Sequence, residues 1–327
     1  MRIGVDAYSY HRLLGEVRPG ERPPPARLAG AEALVAEMVD AGAEVLSLET
    51  VFLDPPARLD AGALVAAARG RELAIAWGHP YGLRWGADPA ALADLLAWID
   101  LAPRLGARIV RCVAAHPALR DGPVPQSRLD ATALALRRAC GRARPHGLVL
   151  ALENHADLDT GELLALLDAV PGLAVCLDTA NALRVGDDPV ALAAAVAARV
   201  AIVHLKDVAE HRPARSGARS GGGPEREACR LAGPVSVPYG TGVVDLAGVL
   251  DALEAGGAPA DLPVCVELAQ LGPGAVDERL LVRQGVAWLA AQRRARLALD
   301  TSDSAQVSCP ETVPVAIPVQ LHTEEGT

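Results

Sequence analysis

Side chains that could bind a metal ion or move a proton follow several apolar runs of the sequence. Glu153, Asp178, His204 and Glu267 each stand where such a run ends. A carboxylate at the end of an apolar strand is costly to bury unless it is paired or bound to a cation. Three carboxylates that converge could not all stay ionised without a cation. Together with one imidazole, they suit an octahedral site for Mn²⁺, Mg²⁺ or Co²⁺.

Each of these residues taken alone also has an ordinary structural interpretation. A buried glutamate at a strand end is often paired with an arginine, and a lone histidine is more often a hydrogen-bonded core residue. Asp178 followed by Thr179 is typical of a helix N-cap. Four ligand-type residues at the ends of four successive runs are hard to obtain from independent accidents. The joint pattern therefore favours a metal site.

Further polar side chains close or follow the remaining runs, and we expect them to contact the substrate. Lysine and arginine together number 31, and Lys206 is the one lysine. An ammonium and a planar guanidinium are not interchangeable in a tight site, so a single lysine among arginines indicates either a functional position or chance, with equal weight for each. The predicted substrate contacts are Glu49, His79, Arg111, His116, His155, Asn181 and Lys206.

Strands and helices that alternate along the chain must position these residues. Most of the apolar runs are continuous, which is typical of parallel strands buried on both faces. Strands are predicted at 2–9, 45–50, 73–79, 108–114, 148–154, 173–179, 200–207 and 262–268. Helices are predicted at 30–41, 61–68, 89–105, 130–144, 161–169, 189–198, 245–255 and 277–291.

Eight strand–helix units predict the fold class. Such units form either an open doubly wound sheet or a closed eightfold barrel, and the number eight favours the (β/α)8 TIM barrel. No G-x-G-x-x-G motif follows the first strand, which argues against the dinucleotide-binding alternative. Active-site groups of such barrels lie at the carboxyl ends of the strands. The candidate residues should therefore meet in one cup.

The predicted barrel is a single domain over residues 1–291. Residues 209–241 form a long insertion after strand seven, and the Gly/Ser-rich stretch 216–224 predicts a mobile loop over the barrel's carboxyl end. Residues 292–327 are predicted to be a disordered C-terminal tail. The apolar stretch 313–321 leaves a partner-binding segment as the alternative for this tail.

Composition excludes several classes of function. The net charge of −9 argues against binding to nucleic acid or to an anionic membrane surface. A hydrophobic content of 51% is ample for a core. No apolar run approaches the length of a membrane span, and the first residues lack a signal-peptide core. Cys112, Cys176 and Cys265 lie in apolar runs, as expected of buried thiols in a reducing cytoplasm.

The motifs together resemble a known family. Five motifs resemble those of the sugar phosphate isomerase/epimerase group, which is part of the xylose isomerase-like TIM barrel superfamily. They are residues 153–155 (ENH), 177–181 (LDTAN), 204–207 (HLKD), 239–245 (YGTGVVD) and 266–267 (VE). The resemblance covers residues 1–291. It implies an isomerase or epimerase that acts on a sugar or sugar derivative by proton transfer through a metal-bound enediolate.

The resemblance also implies roles for individual residues. Glu153, Asp178, His204 and Glu267 match the four metal ligands of the group. Glu153 and Glu267 also match the two carboxylates that exchange a proton with the substrate carbon. Lys206 matches a position that commonly contacts substrate oxygens, and histidines at the positions of His79 and His116 contact the substrate in several members.

Asn181 departs from the group's pattern. Ketose epimerases of the group often have a histidine three residues after the metal-binding aspartate. An amide can hydrogen-bond a hydroxyl but cannot act as an acid or base near neutral pH. The usual 3-epimerisation is therefore in doubt, while isomerisation, dehydration and other eliminations stay open. A lyase acting on a keto-sugar, an inosose or a 3-keto-glycoside is the main alternative, with His79, His116 or His155 protonating the leaving group.

Two other classes of function fit the sequence less well. An AP-endonuclease-type phosphodiesterase would need more histidine ligands and a basic face, which the net charge opposes. A non-catalytic sugar-binding barrel would show a broken ligand set, and here the set is intact. The expected partner is a small-molecule carbohydrate, and a homodimer is a further expectation because barrel helices commonly use exposed leucines for dimer contacts.

Overall fold

The computed structural model describes residues 1–18, 21–209, 234–272 and 277–306, with side chains described as far as residue 298. Eight parallel strands close into a barrel: β1 (Arg2–Asp6), β2 (Val45–Glu49), β3 (Glu72–Ala76), β4 (Ile109–Cys112), β5 (Val149–Glu153), β6 (Ala174–Asp178), β7 (Val200–Leu205) and β10 (Pro263–Val266). Their order around the barrel is β1–β10–β7–β6–β5–β4–β3–β2. The predicted (β/α)8 TIM barrel is confirmed.

Helices follow the strands along the chain. They are α1 (Ala31–Asp40), α2 (Ala61–Ala67), α3 (Pro89–Leu101), α4 (Gln126–Ala143), α5 (Thr160–Ala169), α6 (Asn181–Val185), α7 (Pro189–Val196), α8 (Leu246–Ala255) and α9 (Glu278–Gln306). An aspartate N-cap accepts first-turn N–H groups that would otherwise lack a partner. Such caps are Asp60, Asp88, Asp159, Asp188 and Asp245.

The interior of the barrel has an apolar layer and a polar layer. Alternate side chains of a strand point to the same face. One buried apolar cluster takes a residue from each of seven strands: Val45, Ala74, Ile109, Ala151, Cys176, Ile202 and Cys265. Two residues further along five of these strands, the inward positions hold Arg111, Glu153, Asp178, His204 and Glu267. The alternation that builds the core therefore also places the ionisable side chains at the carboxyl end.

The segment after β7 is more ordered at its ends than expected. Most of the predicted mobile insertion 209–241 lies outside the described residues, at 210–233. The described flanks contain β8 (Val208–Ala209) and β9 (Val235–Ser236), which pair antiparallel. β9 also pairs in parallel with β11 (Gln270–Leu271), which follows β10. A small three-stranded sheet that the sequence did not predict therefore joins the segments after β7 and β10.

The last helix continues beyond its predicted end at residue 291. α9 ends at Gln306, so residues 292–306 of the predicted disordered tail are helical. Alanine, arginine and leucine dominate 291–299, and they are the strongest helix formers. The rest of the predicted tail, 307–327, lies outside the described residues. Residues 1–290 form one compact unit, and the chain from Ala291 forms a second unit.

Two further sequence predictions concern membranes and thiols. Among the described residues, no helix has the length and apolar character needed to cross a bilayer. Cys112, Cys176 and Cys265 are buried free thiols, as predicted.

Candidate active site and metal centre

The carboxyl ends of the barrel strands surround a central cavity of about 560 Å³. Two of the predicted metal ligands, Asp178 and His204, are fully buried next to its wall. The other predicted site residues all line the cavity: Glu49, His79, Arg111, His116, Glu153, His155, Asn181, Lys206 and Glu267. The structure thus brings together every residue that the strand-end pattern selected.

The four predicted metal ligands converge around the His204 imidazole. Its Nδ1 lies 2.7 Å from Glu267 Oε2 and 4.0 Å from Glu153 Oε2. Ligand atoms of Asp178, His204 and Glu267 all lie within 4.8 Å of one another. On the other side of the ring, Nε2 lies 3.5 Å from Asp6 Oδ2. Metal-binding histidines commonly donate their second N–H to a carboxylate in this way.

Buried polar atoms without a well-aligned hydrogen bond lie where the residues present fit a cation. Among the described residues, Glu153 Oε2, Asp178 Oδ2, Glu267 Oε2 and both ring nitrogens of His204 have no well-aligned hydrogen bond. Each of these three oxygens lies within 2.7 Å of a nitrogen of Arg111, Lys206 or His204, so a bound cation would share or displace these contacts. Carboxylate oxygens with one imidazole suit Mg²⁺, Mn²⁺ or Co²⁺.

Lys206 neutralises two of these carboxylates. Its Nζ lies 2.6 Å from Asp178 Oδ2 and 2.8 Å from Glu267 Oε1. Burial would lower the pKa of Lys206, but Asp178 and Glu267 outweigh burial and raise it. Burial would likewise raise the pKa of Glu267, but Lys206 and His204 lower it below its ordinary value. Both groups are therefore charged at neutral pH.

The two carboxylate oxygens of Asp178 have different partners. Its Oδ1 accepts hydrogen bonds of 2.9 Å from the backbone N–H groups of Ala180 and Asn181, at the start of α6. Its Oδ2 faces Lys206. The cap and the metal-ligand interpretations of the sequence are therefore compatible, because each uses a different oxygen.

Arg111 joins the predicted proton-transfer carboxylate to a second acid. Its Nε lies 2.7 Å from Glu153 Oε2, and its Nη2 contacts the carboxylate of Glu49. Burial raises the pKa of Glu49 to about 8, although Arg111 opposes the shift. Burial also raises the pKa of Glu153. Asn181 Nδ2 donates to Glu153 Oε1 at 3.4 Å, so both oxygens of Glu153 are held.

The 239–245 motif fixes the ends of two site-bearing strands. The Tyr239 hydroxyl lies 3.0 Å from the carbonyl oxygens of Leu205 and Glu267, which close β7 and follow β10. Asp207 Oδ2 accepts the N–H groups of Gly240 at 2.8 Å and Gly242 at 2.9 Å. A Cβ on Gly242 would lie 1.9 Å from Asp207 Oδ1, so only glycine fits there.

The three candidate histidines occupy different environments. His79 stacks on Trp77 with ring centroids 5.5 Å apart. Burial, with Arg111 and Lys206 adding to it, lowers the pKa of His155 well below its usual range, so this ring is neutral. His116 is exposed, and its Nδ1 accepts the N–H of Ala118 at 3.1 Å.

Several cavity residues were missed at the level of sequence. Asp6 closes β1 as the other acids close their strands, and Ser47 Oγ donates to it at 2.5 Å. The first strand was predicted to run to residue 9, whereas β1 ends at Asp6, so the predicted strand end did not mark this aspartate. Tyr8 and Arg18 line the cavity from the loop after β1, where no sequence motif marks them.

Most of the chain matches the profile of one protein family. Residues 35–292 match the profile of the xylose isomerase-like TIM barrel family. A 3-oxo-isoapionate decarboxylase from Pectobacterium atrosepticum is 29% identical over 132 residues. That match covers 39% of this chain and 45% of the relative, so it spans less than half of either protein.

Solved structures share the fold over nearly the whole chain. An L-ribulose 3-epimerase superposes with a TM-score of 0.65 at 20% identity, covering 95% of this chain and 99% of the other. A xylose isomerase-like TIM barrel protein from Mycobacterium smegmatis, solved in complex with magnesium, gives 0.62 at 16% identity and covers 89% and 96%. Identities this low establish the common barrel and leave the reaction open.

Proposed function

The chain belongs to the xylose isomerase-like TIM barrel family, and from that premise we propose that it is a divalent-metal-dependent isomerase or epimerase of a sugar or sugar derivative. The reaction would be proton transfer through an enediolate. The observation that supports it most is the approach of Glu153 and Glu267 to the same nitrogen of the buried His204 imidazole, from β5 and β10. Two carboxylates so arranged can reach one substrate carbon from two sides.

Glu153, Asp178, His204 and Glu267 would hold the cation. When bound, a divalent cation would polarise a substrate carbonyl and stabilise negative charge that develops on its oxygen. Asp6 would keep His204 oriented through the second ring nitrogen, 3.5 Å away. Lys206 would remain beside the site and donate to a substrate hydroxyl or carbonyl oxygen.

The proton steps fall to the two glutamates. One carboxylate removes the hydrogen next to the carbonyl, and the other returns a proton to the same or the neighbouring carbon. Arg111 and Asn181 hold both oxygens of Glu153 and so fix the direction in which it approaches the substrate. Glu267 is held by Lys206 and His204.

A lyase is the second candidate, and the decarboxylase relative supports it. Loss of carbon dioxide or water next to a carbonyl passes through an enolate that the same site would stabilise. His155 lines the cavity as a neutral imidazole and could donate a hydrogen bond to the oxygen of a leaving group. The isomerase and the lyase share an enolate-type intermediate. They differ in the next step, because the lyase releases carbon dioxide or water and the isomerase returns a proton.

Hydrogen exchange in D₂O tests the proposal. Metal-stripped protein, and protein reloaded with Mn²⁺, Mg²⁺ or Co²⁺, would be mixed with ketoses, inososes, 3-keto-glycosides and keto-sugar acids and followed by proton NMR. We expect one substrate class to lose the signal of the hydrogen next to its carbonyl, only with metal. An isomeric product supports the isomerase, and a smaller or dehydrated product supports the lyase. Folded, metal-loaded protein that exchanges no substrate would overturn both.

A further inference from the structure

The cations of the cavity differ in how they are neutralised. Arg111 contacts two carboxylates, those of Glu49 and Glu153, and Lys206 likewise lies between two. Arg184 also lines the cavity but has no carboxylate within 4.0 Å among the residues that the structure describes. Its Nη1 donates to Asn181 Oδ1 at 3.3 Å. Arg184 therefore faces the cavity without a close ion pair among the described residues.

Arg18 reaches the same cavity from a loop that is anchored in the core. The Glu21 carboxylate is buried and accepts the backbone N–H groups of Arg18 and Leu271, each at 2.8 Å. The same carboxylate lies 2.9 Å from His11 Nε2. The Arg18 guanidinium lies 4.8 Å from the centre of the Tyr8 ring. This anchoring holds the arginine at the cavity without filling its hydrogen-bonding capacity.

The charges of Arg18 and Arg184 act on the same space. Burial lowers the pKa of Arg184 below its ordinary value; the charge of Asp178 opposes this shift, and the charge of Arg18 adds to it. Burial and then the charges of Arg184 and Arg18 lower the pKa of His116. Arg18 has one acidic neighbour, Glu16, 3.7 Å away. Among the described residues, the one ion pair that either guanidinium makes is this 3.7 Å contact of Arg18 with Glu16, so both guanidinium groups can take a further anion.

We propose that Arg18 and Arg184 form an anion subsite at the mouth of the cavity, and that the substrate carries a carboxylate or phosphate group there. The inference rests on the proposed function, since it names the substrate class of that same site. Guanidinium forks match both anions and form strong charge-assisted hydrogen bonds with them.

Asn181 sets the spacing of this subsite from the reacting carbon. Its amide nitrogen donates to Glu153 and its amide oxygen accepts from Arg184, so the side chain spans the two. The anionic group would therefore lie at the end of the substrate remote from the carbon that Glu153 approaches. An amide suits this position because it needs both a donor and an acceptor.

Binding of three ligands that differ only at carbon 6 tests the subsite. D-fructose, D-fructose 6-phosphate and D-fructuronate would be titrated into Mn²⁺-loaded full-length protein by calorimetry at low and high salt. The variants are Arg18→Gln and Arg184→Gln, and the matched control is Arg138→Gln, an exposed arginine of α4 outside the cavity. Losing one charged hydrogen-bond partner should weaken binding of an anion about 10-fold or more.

We expect at least one anionic ligand to bind the native protein more tightly than D-fructose does. Both cavity variants should lose this preference, the Arg138→Gln control should keep it, and high salt should reduce it. Preference for D-fructuronate assigns a carboxylate, and preference for D-fructose 6-phosphate assigns a phosphate. Equal binding of all three ligands, no binding of either anion, or cavity variants that bind like the control would overturn the subsite. If a glutamine variant does not fold, Arg184→Lys, which keeps the charge without the fork, should bind the anion less tightly than the native protein.

Binding and turnover separate this inference from the proposed function. A preference for anions that depends on the two arginines, without metal-dependent hydrogen exchange on any substrate, supports the subsite and overturns the reaction. Metal-dependent exchange on neutral sugars, together with no tighter binding of either anion than of D-fructose by the native protein, supports the reaction and overturns the subsite.

Discussion

Replacing Lys206 with methionine should destabilise the metal-free protein and make its stability depend strongly on a divalent cation. The Lys206 ammonium lies 2.6 Å from Asp178 Oδ2 and 2.8 Å from Glu267 Oε1, and its side chain is 11% exposed. Methionine keeps most of the volume and removes the charge. Two buried carboxylates then lose their counter-ion, while His204 remains beside one of them.

The expected size follows from the burial of the pair. Removing one partner of a buried ion pair costs about 3–5 kcal/mol. Asp178 keeps two backbone hydrogen bonds on its other oxygen, so the loss should be near the lower limit. At about 2 °C per kcal/mol for a domain of this size, the melting temperature in EDTA should fall by about 6 °C. A cation at 100 times its Kd adds about 2.7 kcal/mol of stability. This gain should be larger in Lys206→Met, where no ammonium competes with the cation for the two carboxylates, so Mn²⁺ should narrow the difference from the native protein.

This effect is measured by thermal melts in EDTA and in Mn²⁺. The proteins compared are the native protein, Lys206→Met and Lys206→Arg. Lys206→Arg keeps the charge and should lose less stability in EDTA, although the planar fork cannot place one nitrogen between both carboxylates. The reasoning would be refuted if Lys206→Met and the native protein had the same melting temperature in EDTA. It would also be refuted if Mn²⁺ raised the melting temperatures of both proteins by the same amount. Either result would mean that the carboxylates are already neutral.

Two other perturbations follow from the same geometry. Glu153→Gln and Glu267→Gln should each keep the fold and lose about 10²–10⁴-fold in turnover. Elemental analysis should show that each variant keeps its metal. Native turnover in a metal-loaded variant would exclude the replaced residue as a proton carrier. Burial raises the pKa of Asp157 to about 7, so the native state holds this proton after the unfolded chain has lost it. Stability should therefore fall as pH rises from about 4 to 7, by up to about 1.4 kcal/mol per pH unit. Urea unfolding across this range should show a shallower fall for Asp157→Asn, and an unchanged slope would contradict the shift.

The position of the site was readable from the sequence because the barrel is periodic. Each strand buries apolar side chains on both faces, and the ionisable residues that interrupt this pattern lie toward its carboxyl end. Glu153, Asp178, His204 and Glu267 are such interruptions, and the closed parallel barrel brings them to one end. Asp6 follows the same rule on β1, and it lies against His204.

Contacts that depend on loops could not be read in the same way. Arg18 is one arginine among many, and only the buried carboxylate of Glu21 fixes the loop that carries it. The pairing of Arg111 with Glu153 depends on which way two long side chains turn inside the barrel. The small sheet of β8, β9 and β11 involves strands of two residues, which are too short to leave a pattern.

The distribution of charge separates the reaction from the recognition of the substrate. Deep in the cavity every described cation has carboxylate neighbours, as Arg111 and Lys206 illustrate, so these groups hold one another in place and face the carbon that reacts. At the mouth, Arg184 has no such neighbour among the described residues, so its charge is available to the part of the substrate that does not react. Interactions made equally before and during the reaction strengthen binding, whereas those that strengthen in the transition state increase turnover. The deep carboxylates should therefore govern the rate, and the arginines at the mouth should govern which sugar is held.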